Sequence, residues 1–264
     1  MHFRLKTRIS LLLIVLVSIM MARAAWAETL LLAAANTRPT AFFQVGGKPS
    51  GMLIDLVTEA FRRAGYQVEF KLMPWARCLA EAKTGAVDGV FSSFKLPERE
   101  QFLAFTSEAL TTQAITFFAR RNSTISFDGD LSTLREVKIG ITIGTSYGKR
   151  FDAAVKGGAL PNIDPTNNID SNLAKLALGR IDLVPSVREV AMDAAKHLNL
   201  LSQIKEVSPP LESVSSYLAF TKVRDLSIPS NAFDKEMALM KRDGGYDRIV
   251  KKYARLASNA AIKP

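Results

Sequence analysis

Apolar and polar positions alternate along this chain in two recurring rhythms. Residues 30–35 form an apolar run of strand length. Leu53, Leu56, Val57, Ala60, Phe61 and Ala64 then recur at helical spacing, with Asp55, Glu59, Arg62 and Arg63 on the opposite face and Gly65 placed to end the helix. A second strand is predicted over 67–73, a helix over 75–83 opened by Pro74 and closed near Gly85, and a third strand over 87–91. This βαβαβ order implies a parallel sheet with helices on its faces. Arg, Asn, Ser, Asp and Gly accumulate over 120–130, and the alternation then restarts. Strands are predicted at 137–141 and 181–184. Helices are predicted at 146–155, after the Gly144-Thr145 turn, at 170–178, capped by Asp170 and stopped by Gly179, and at 187–198. Residues 216–221 are strand-like, and two helices, about 230–241 and 245–257, close the chain around Asp243-Gly244-Gly245.

Two α/β halves therefore follow one another, joined by extended segments near 113–120 and 216–221. Two connections mean that the second half is inserted into the first, with a cleft between them where small molecules bind. Periodicity alone leaves a single continuous sheet open.

The amino-terminal stretch follows neither rhythm. Arg4, Lys6 and Arg8 precede an apolar run over 9–22, and Ala25-Trp26-Ala27 offers small residues where a signal peptidase reads them. The run is short for a membrane span, which takes about 20 residues. Residues 1–27 are expected to be a signal peptide cleaved between Ala27 and Glu28. Without them the formal charge falls from +10 to +6, since four basic residues and no acidic ones are lost. The remaining basic residues are scattered pairs such as Arg62-Arg63 and Lys251-Lys252, so no nucleic-acid partner is expected. One Cys and two His exclude an internal disulfide and a cysteine–histidine zinc site. There is no Gly-x-Ser-x-Gly elbow, Walker A loop, Gly-x-Gly-x-x-Gly or His-Glu-x-x-His. No cofactor or metal is implied. Cys78 reads as a buried spectator, and His197 as a residue that suits a helix end.

What stands out is polar chemistry between apolar strands: Met73-Pro-Trp-Ala-Arg-Cys-Leu-Ala, then Val87-Asp-Gly-Val-Phe-Ser-Ser-Phe-Lys-Leu-Pro-Glu-Arg-Glu-Gln-Phe-Leu-Ala-Phe-Thr, and late in the chain Gly244-Gly-Tyr-Asp-Arg-Ile-Val-Lys-Lys-Tyr. In these segments the sequence resembles the extracellular solute-binding proteins of family 3, the polar amino-acid-binding type that serves ABC importers, in a Pro-Trp-x-Arg branch. The resemblance implies a two-lobed α/β fold of the periplasmic-binding-protein type (type II). Residues 28–118 and 217–264 would form lobe 1 and residues 119–216 lobe 2. It implies a monomeric periplasmic receptor for a small carboxylate-bearing ligand, working with an ABC permease in the inner membrane.

The resemblance also nominates site residues. Trp75, 17 positions before Ser92, matches a ligand-stacking aromatic, with Arg77 beside it and Ser93 following. Arg99, six before Phe105-Thr106, matches a carboxylate clamp, a role that suits the planar fork of guanidinium. Gly144-Thr145-Ser146 looks like a turn whose backbone N–H groups and hydroxyls receive an anion at a helix start. Two departures follow. An acidic residue that usually holds the ligand's ammonium falls at Val187, with Arg188 and Glu189 beyond. Lys95 stands where Ser or Thr is common. Lys95 and Arg188 would make the cleft more cationic, and either Glu189 substitutes for the missing acid or the ligand has no α-amino group. Two other roles on this fold stay open: an enzyme resembling cyclohexadienyl dehydratases, with Glu98 or Glu189 as general acid, and a protein presenting ligand to a sensory kinase.

Overall fold

The structure, a computed structural model, describes residues 29–38, 42–43 and 47–262. The expected signal segment lies outside the described residues. Strand β1 (Thr29–Ala35) is followed by the two-residue strands β2 (Phe42–Phe43) and β3 (Pro49–Ser50), which pair with each other. Helix α1 (Met52–Ala64) comes next and buries Leu53, Ile54, Leu56, Val57, Ala60 and Phe61 along one stripe, as its spacing dictates. It ends at Gly65, whose φ of 83° is the left-handed closing conformation that glycine adopts without steric cost. Strand β4 (Gln67–Met73), helix α2 (Trp75–Thr84), strand β5 (Gly89–Phe94) and the single turn α3 (Pro97–Glu100) complete the first run. Strand β6 (Leu103–Arg120) leads into the second: β7 (Ile139–Thr142), α4 (Lys149–Lys156), β8 (Ile163–Thr166), α5 (Ile169–Ala177), β9 (Leu183–Val187) and α6 (Arg188–His197). Strand β10 (Ile204–Thr221) returns, and helices α7 (Ser227–Arg242) and α8 (Gly245–Ile262) pack back on the first half.

Eight strands form one hydrogen-bonded sheet in the order β4-β1-β5-β10-β6-β9-β7-β8. This is the continuous arrangement that periodicity left open. It arises because β6 and β10, 18 residues each, pair antiparallel with each other and continue from one half into the other. On either side of them β1, β4 and β5 run parallel, as do β7, β8 and β9.

The long strands sort the core by the two-residue period of a strand. Leu218 and Phe220 join Phe61, Phe91 and Phe233 in one cluster, while Ala219 faces Cys78, Ala82 and Val90 in another. Further along the ladder Phe117 packs with Phe127, Ile139 and Phe151, and Phe118 with Leu173, Ile181 and Val184 on the opposite face. Phe94 and Leu96 belong to the cluster around Phe117, so the chain's first run contributes to the second half's core.

Several elements differ from the sequence expectation. Strand β8 was not foreseen, and neither was the first part of β10. Helix α4 begins at Lys149 after Gly148, not at Ser146, because the carboxylate of Asp152 accepts from Ser146 Oγ and from the Tyr147 N–H (2.9 Å) and holds residues 145–148 as an irregular turn. Helix α5 is capped by Asn168, whose side chain accepts from the Ser171 N–H at 2.8 Å, and Asp170 lies within its first turn.

Candidate functional site

The parallel strands on both sides of the ladder aim their carboxyl ends at one cleft, the place where open α/β sheets bind ligands. Its volume is about 610 Å³, within the usual range for small-molecule sites. One wall comes from the ends of β1, β4 and β5: Asn36, Thr37 and Arg38, then Met73, Pro74 and Trp75, then Ser92 and Phe94, with Arg99 from α3. The other comes from Thr142, Thr145, Ser146 and Tyr147 after β7, Asn167 to Asp170 after β8, and one face of α6. Gln113 and Ile115 of β6 line the floor with Ser186 and Val187 of β9.

Arg99 is the most constrained group in the cleft. It is 5% exposed. Its Nη1 donates to the Phe94 carbonyl at 3.2 Å and to Ser93 Oγ at 3.4 Å, and its Nη2 reaches across to the Gly144 carbonyl at 3.1 Å. The guanidinium carbon stands 5.4 Å from the centre of the Trp75 ring, in cation–π range. Of its five N–H donors, Nε–H and one Nη2–H keep no acceptor among the described residues. Burial pulls its pKa down to about 10, with Glu98 and Asp152 pulling the other way, so it stays cationic at neutral pH.

Ser92 sits beside this group with φ of 63°, a left-handed conformation that costs a non-glycine residue about 1–3 kcal/mol and tends to collect at functional positions. Gly144 closes the opposite side. Its φ is +76°, and a Cβ there would lie 3.4 Å from Ala76 on α2, so the two walls meet at this turn.

The nominated residues divide cleanly. Trp75, Ser92, Arg99, Thr145 and Ser146 line the cleft together. Ser93 is buried just behind and supports Arg99. Arg77, Lys95, Arg188 and Glu189 stand outside it, exposed: Arg77 pairs with Glu81 at 2.9 Å, Lys95 with Glu100 at 3.6 Å, and Arg188 with Glu206 at 2.7 Å. The Gly144-Thr145-Ser146 turn does not open a helix, and its donors are largely committed. Thr145 N–H bonds the Thr142 carbonyl, and the Ser146 hydroxyl and Tyr147 N–H both go to Asp152. Asp152 is itself in the first turn of α4, so a carboxylate of the chain already occupies the helix start where a ligand's anion was expected.

Sequence reasoning passed over Gln113, Ser186, Asp170, Asp193 and His197. Gln113 was legible as the one amide in the apolar stretch after Leu110. Asp193 and His197 share the spacing of Val190 and Ala194, the i, i+3, i+4, i+7 signature of a single helix face.

Comparison with known proteins finds a family match over most of the chain. Residues 30–255 match the sequence profile of the bacterial extracellular solute-binding proteins, family 3. A probable histidine-binding protein of Campylobacter jejuni is 26% identical over 224 residues, 83% of this chain and 82% of that one. Among solved structures, a histidine kinase sensor domain with similarity to periplasmic binding proteins superposes with a TM-score of 0.76 at 22% identity, covering 85% of this chain and 95% of the sensor. An ancestral arginine-binding protein bound to arginine gives 0.74 at 24% identity, covering 86% and 99%. These two likenesses establish the fold, the two-lobed α/β architecture of periplasmic binding proteins. With its profile matched from the first strand to the last helix, the chain belongs to the bacterial extracellular solute-binding proteins of family 3.

Proposed function

We propose that this protein is a periplasmic receptor that captures a small carboxylate-bearing solute, an amino acid or a relative of one, and delivers it to an ABC permease in the inner membrane. The observation that carries the reading is Arg99: a buried guanidinium stacked over Trp75, lining the cleft, with two N–H donors unspent. A carboxylate is the group that fits such a donor pair. In this reading residues 28–118 with 217–264 and residues 119–216 act as lobes that close on the ligand about β6 and β10, because both sets of contacts are made only in the closed state. Export of the monomer after cleavage at Ala27 belongs to the same proposal. Among the described residues no helix is long and apolar enough to cross a membrane.

The test is calorimetric titration of wild type, Arg99→Ala and Arg99→Lys with a ligand found by thermal-shift screening of amino acids and organic acids. Losing a hydrogen bond to a charged group costs about 1.5–3 kcal/mol, so Arg99→Ala should weaken binding roughly tenfold to 150-fold. Arg99→Lys keeps the charge but not the fork and should fall between. Wild-type affinity in Arg99→Ala would sink the carboxylate assignment. Glu98 and Glu189, the carboxylates considered for an elimination reaction, are both exposed and outside the cleft, which favours capture over turnover. Turnover of prephenate or arogenate by the pure protein would overturn that preference.

A further inference from the structure

The registers of the central sheet fix where the floor of the cleft lies. Phe94, whose carbonyl anchors Arg99, pairs with Ser216 of β10, and Ser216 pairs with Thr111 of β6. Further along β6, Ile115 pairs with Val187, the last residue of β9 before α6 begins. Gln113 stands midway between Thr111 and Ile115 on the same face of β6, about 7 Å along the strand from each. It therefore lies between the Arg99 end of the cleft and the start of α6. Gln113 is 7% exposed and lines the cleft, and its side-chain amide has no hydrogen-bond partner among the described residues. Buried amides are normally bonded, so an orphan one facing a cavity marks where a ligand's polar group comes.

The start of α6 faces the same floor, since Val187 and Val190 both line the cleft. No side chain caps this helix, and the N–H groups of its first turn have no acceptor inside it. The nearby Ser186 hydroxyl does not serve them, being committed to the Val187 carbonyl at 3.2 Å. Charge then decides what amide and helix start can take together. The positive end of the helix disfavours a cation. A full anion would be buried there without a counter-ion, because Arg38 follows β1, three strands from β6, Arg99 is held at Phe94, and Asp193 on the lining face of α6 repels it. What fits is an uncharged oxygen, which accepts from the α6 N–H groups and from the Gln113 amide, and as a hydroxyl also donates to that amide.

Resting on the carboxylate reading above, we propose that the solute is an oxo or hydroxy acid. Its carboxylate lies on Arg99, and its uncharged oxygen lies on Gln113 and the start of α6. Gln113 is then the residue that sets specificity: an acid without the oxygen fills the floor but leaves the amide unpaired and out of reach of water.

Calorimetric titrations with a small set of probes test this. Pentanoate has the carboxylate alone, and 2-hydroxypentanoate, 2-oxopentanoate and 4-oxopentanoate each add one oxygen. Pentan-2-one keeps the ketone of either oxo acid and has a methyl group in place of the carboxylate. At least one oxygenated acid should bind roughly fivefold to 150-fold more tightly than pentanoate, the range for a buried polar group left unpaired. Gln113→Leu should erase that preference while leaving pentanoate within about twofold of its wild-type affinity. The ligand-free variant should melt no lower than wild type, because the amide it loses is bonded to nothing among the described residues. Oxygenated acids no tighter than pentanoate, a preference that survives Gln113→Leu, a lowered melting temperature of the ligand-free variant, or no heat from any of the acids at millimolar concentration would each overturn the proposal. Pentan-2-one binding as tightly as the better oxo acid would instead remove the carboxylate reading and leave the oxygen subsite standing.

Discussion

Single residues in this protein take their chemistry from burial more than from residue type. Cys78 is fully buried against Ala82 and Val90, and that burial pushes its thiol up to about 12. At pH 8 only about one part in ten thousand would be thiolate, the form that reacts. A thiol reagent at that pH should therefore label the native protein negligibly and the urea-unfolded protein fully; rapid labelling of native protein would show that α2 opens readily. Arg99 illustrates the opposite use of the same physics. Its burial weakens the hold on its proton, yet not enough to discharge it at neutral pH, and so makes a desolvated cation available to the cleft. Of the site, Trp75, Ser92 and Arg99 were legible in the sequence because each sits at a fixed offset within one short segment. Gln113 and Asp193 left only a lone amide and a helix-face spacing as signals, since their place in the cleft depends on where β6 and α6 meet it.

Elements were readable where their own residues decide them. Strand β4 and helix α1 follow their patterns because each buries a single face, and Gly65 ends the helix where the pattern stops. Strand β8 reads Ile-Asp-Pro-Thr, and a proline argues against a strand; it is tolerated because β8 is the last strand of the sheet, with its outer side unpaired. The first part of β10 pairs with β6 from Ile204 to Val207, and Ser208, Pro209 and Pro210 fall where the register shifts before pairing resumes at Glu212. The start of α4 was misplaced because Asp152 binds back to Ser146 and Tyr147. Local caps carry part of the stability. Asn168→Ala removes the acceptor for Ser171 N–H and should cost about 1 kcal/mol, or roughly 2–4 °C in melting temperature, measured without ligand. An unchanged melting temperature would mean that α5 is held by its packing on Leu173 and Leu176 alone.

For the whole molecule, contacts across the cleft tie one wall to the other. Arg99 to Gly144, and Gly144 against Ala76, join the two walls across the cleft, beside the core cluster that Phe94 and Leu96 of the first run share with Phe117 and Phe151. A ligand held by both walls should therefore act as a strong additional tie. At 100 times its Kd it adds about 2.7 kcal/mol, which for a chain of this size raises the melting temperature by roughly 5–11 °C. A bound ligand that left the melting temperature unmoved at that excess would mean that it also binds the unfolded chain.

The central ladder has one more consequence, in time rather than in energy. Its registers run from Ile204 against Arg120 to Thr221 against Leu103, so every rung joins residues that are far apart along the chain. Rungs of such long range form slowly. While the chain is being made, β6 can pair with β9 on one side but lacks its other neighbour until β10 has been synthesised, and β5, which also borders β10, waits with it. The order of synthesis thus delays completion of the sheet until nearly the whole polypeptide exists, leaving the growing chain in an extendable form for as long as it is being made.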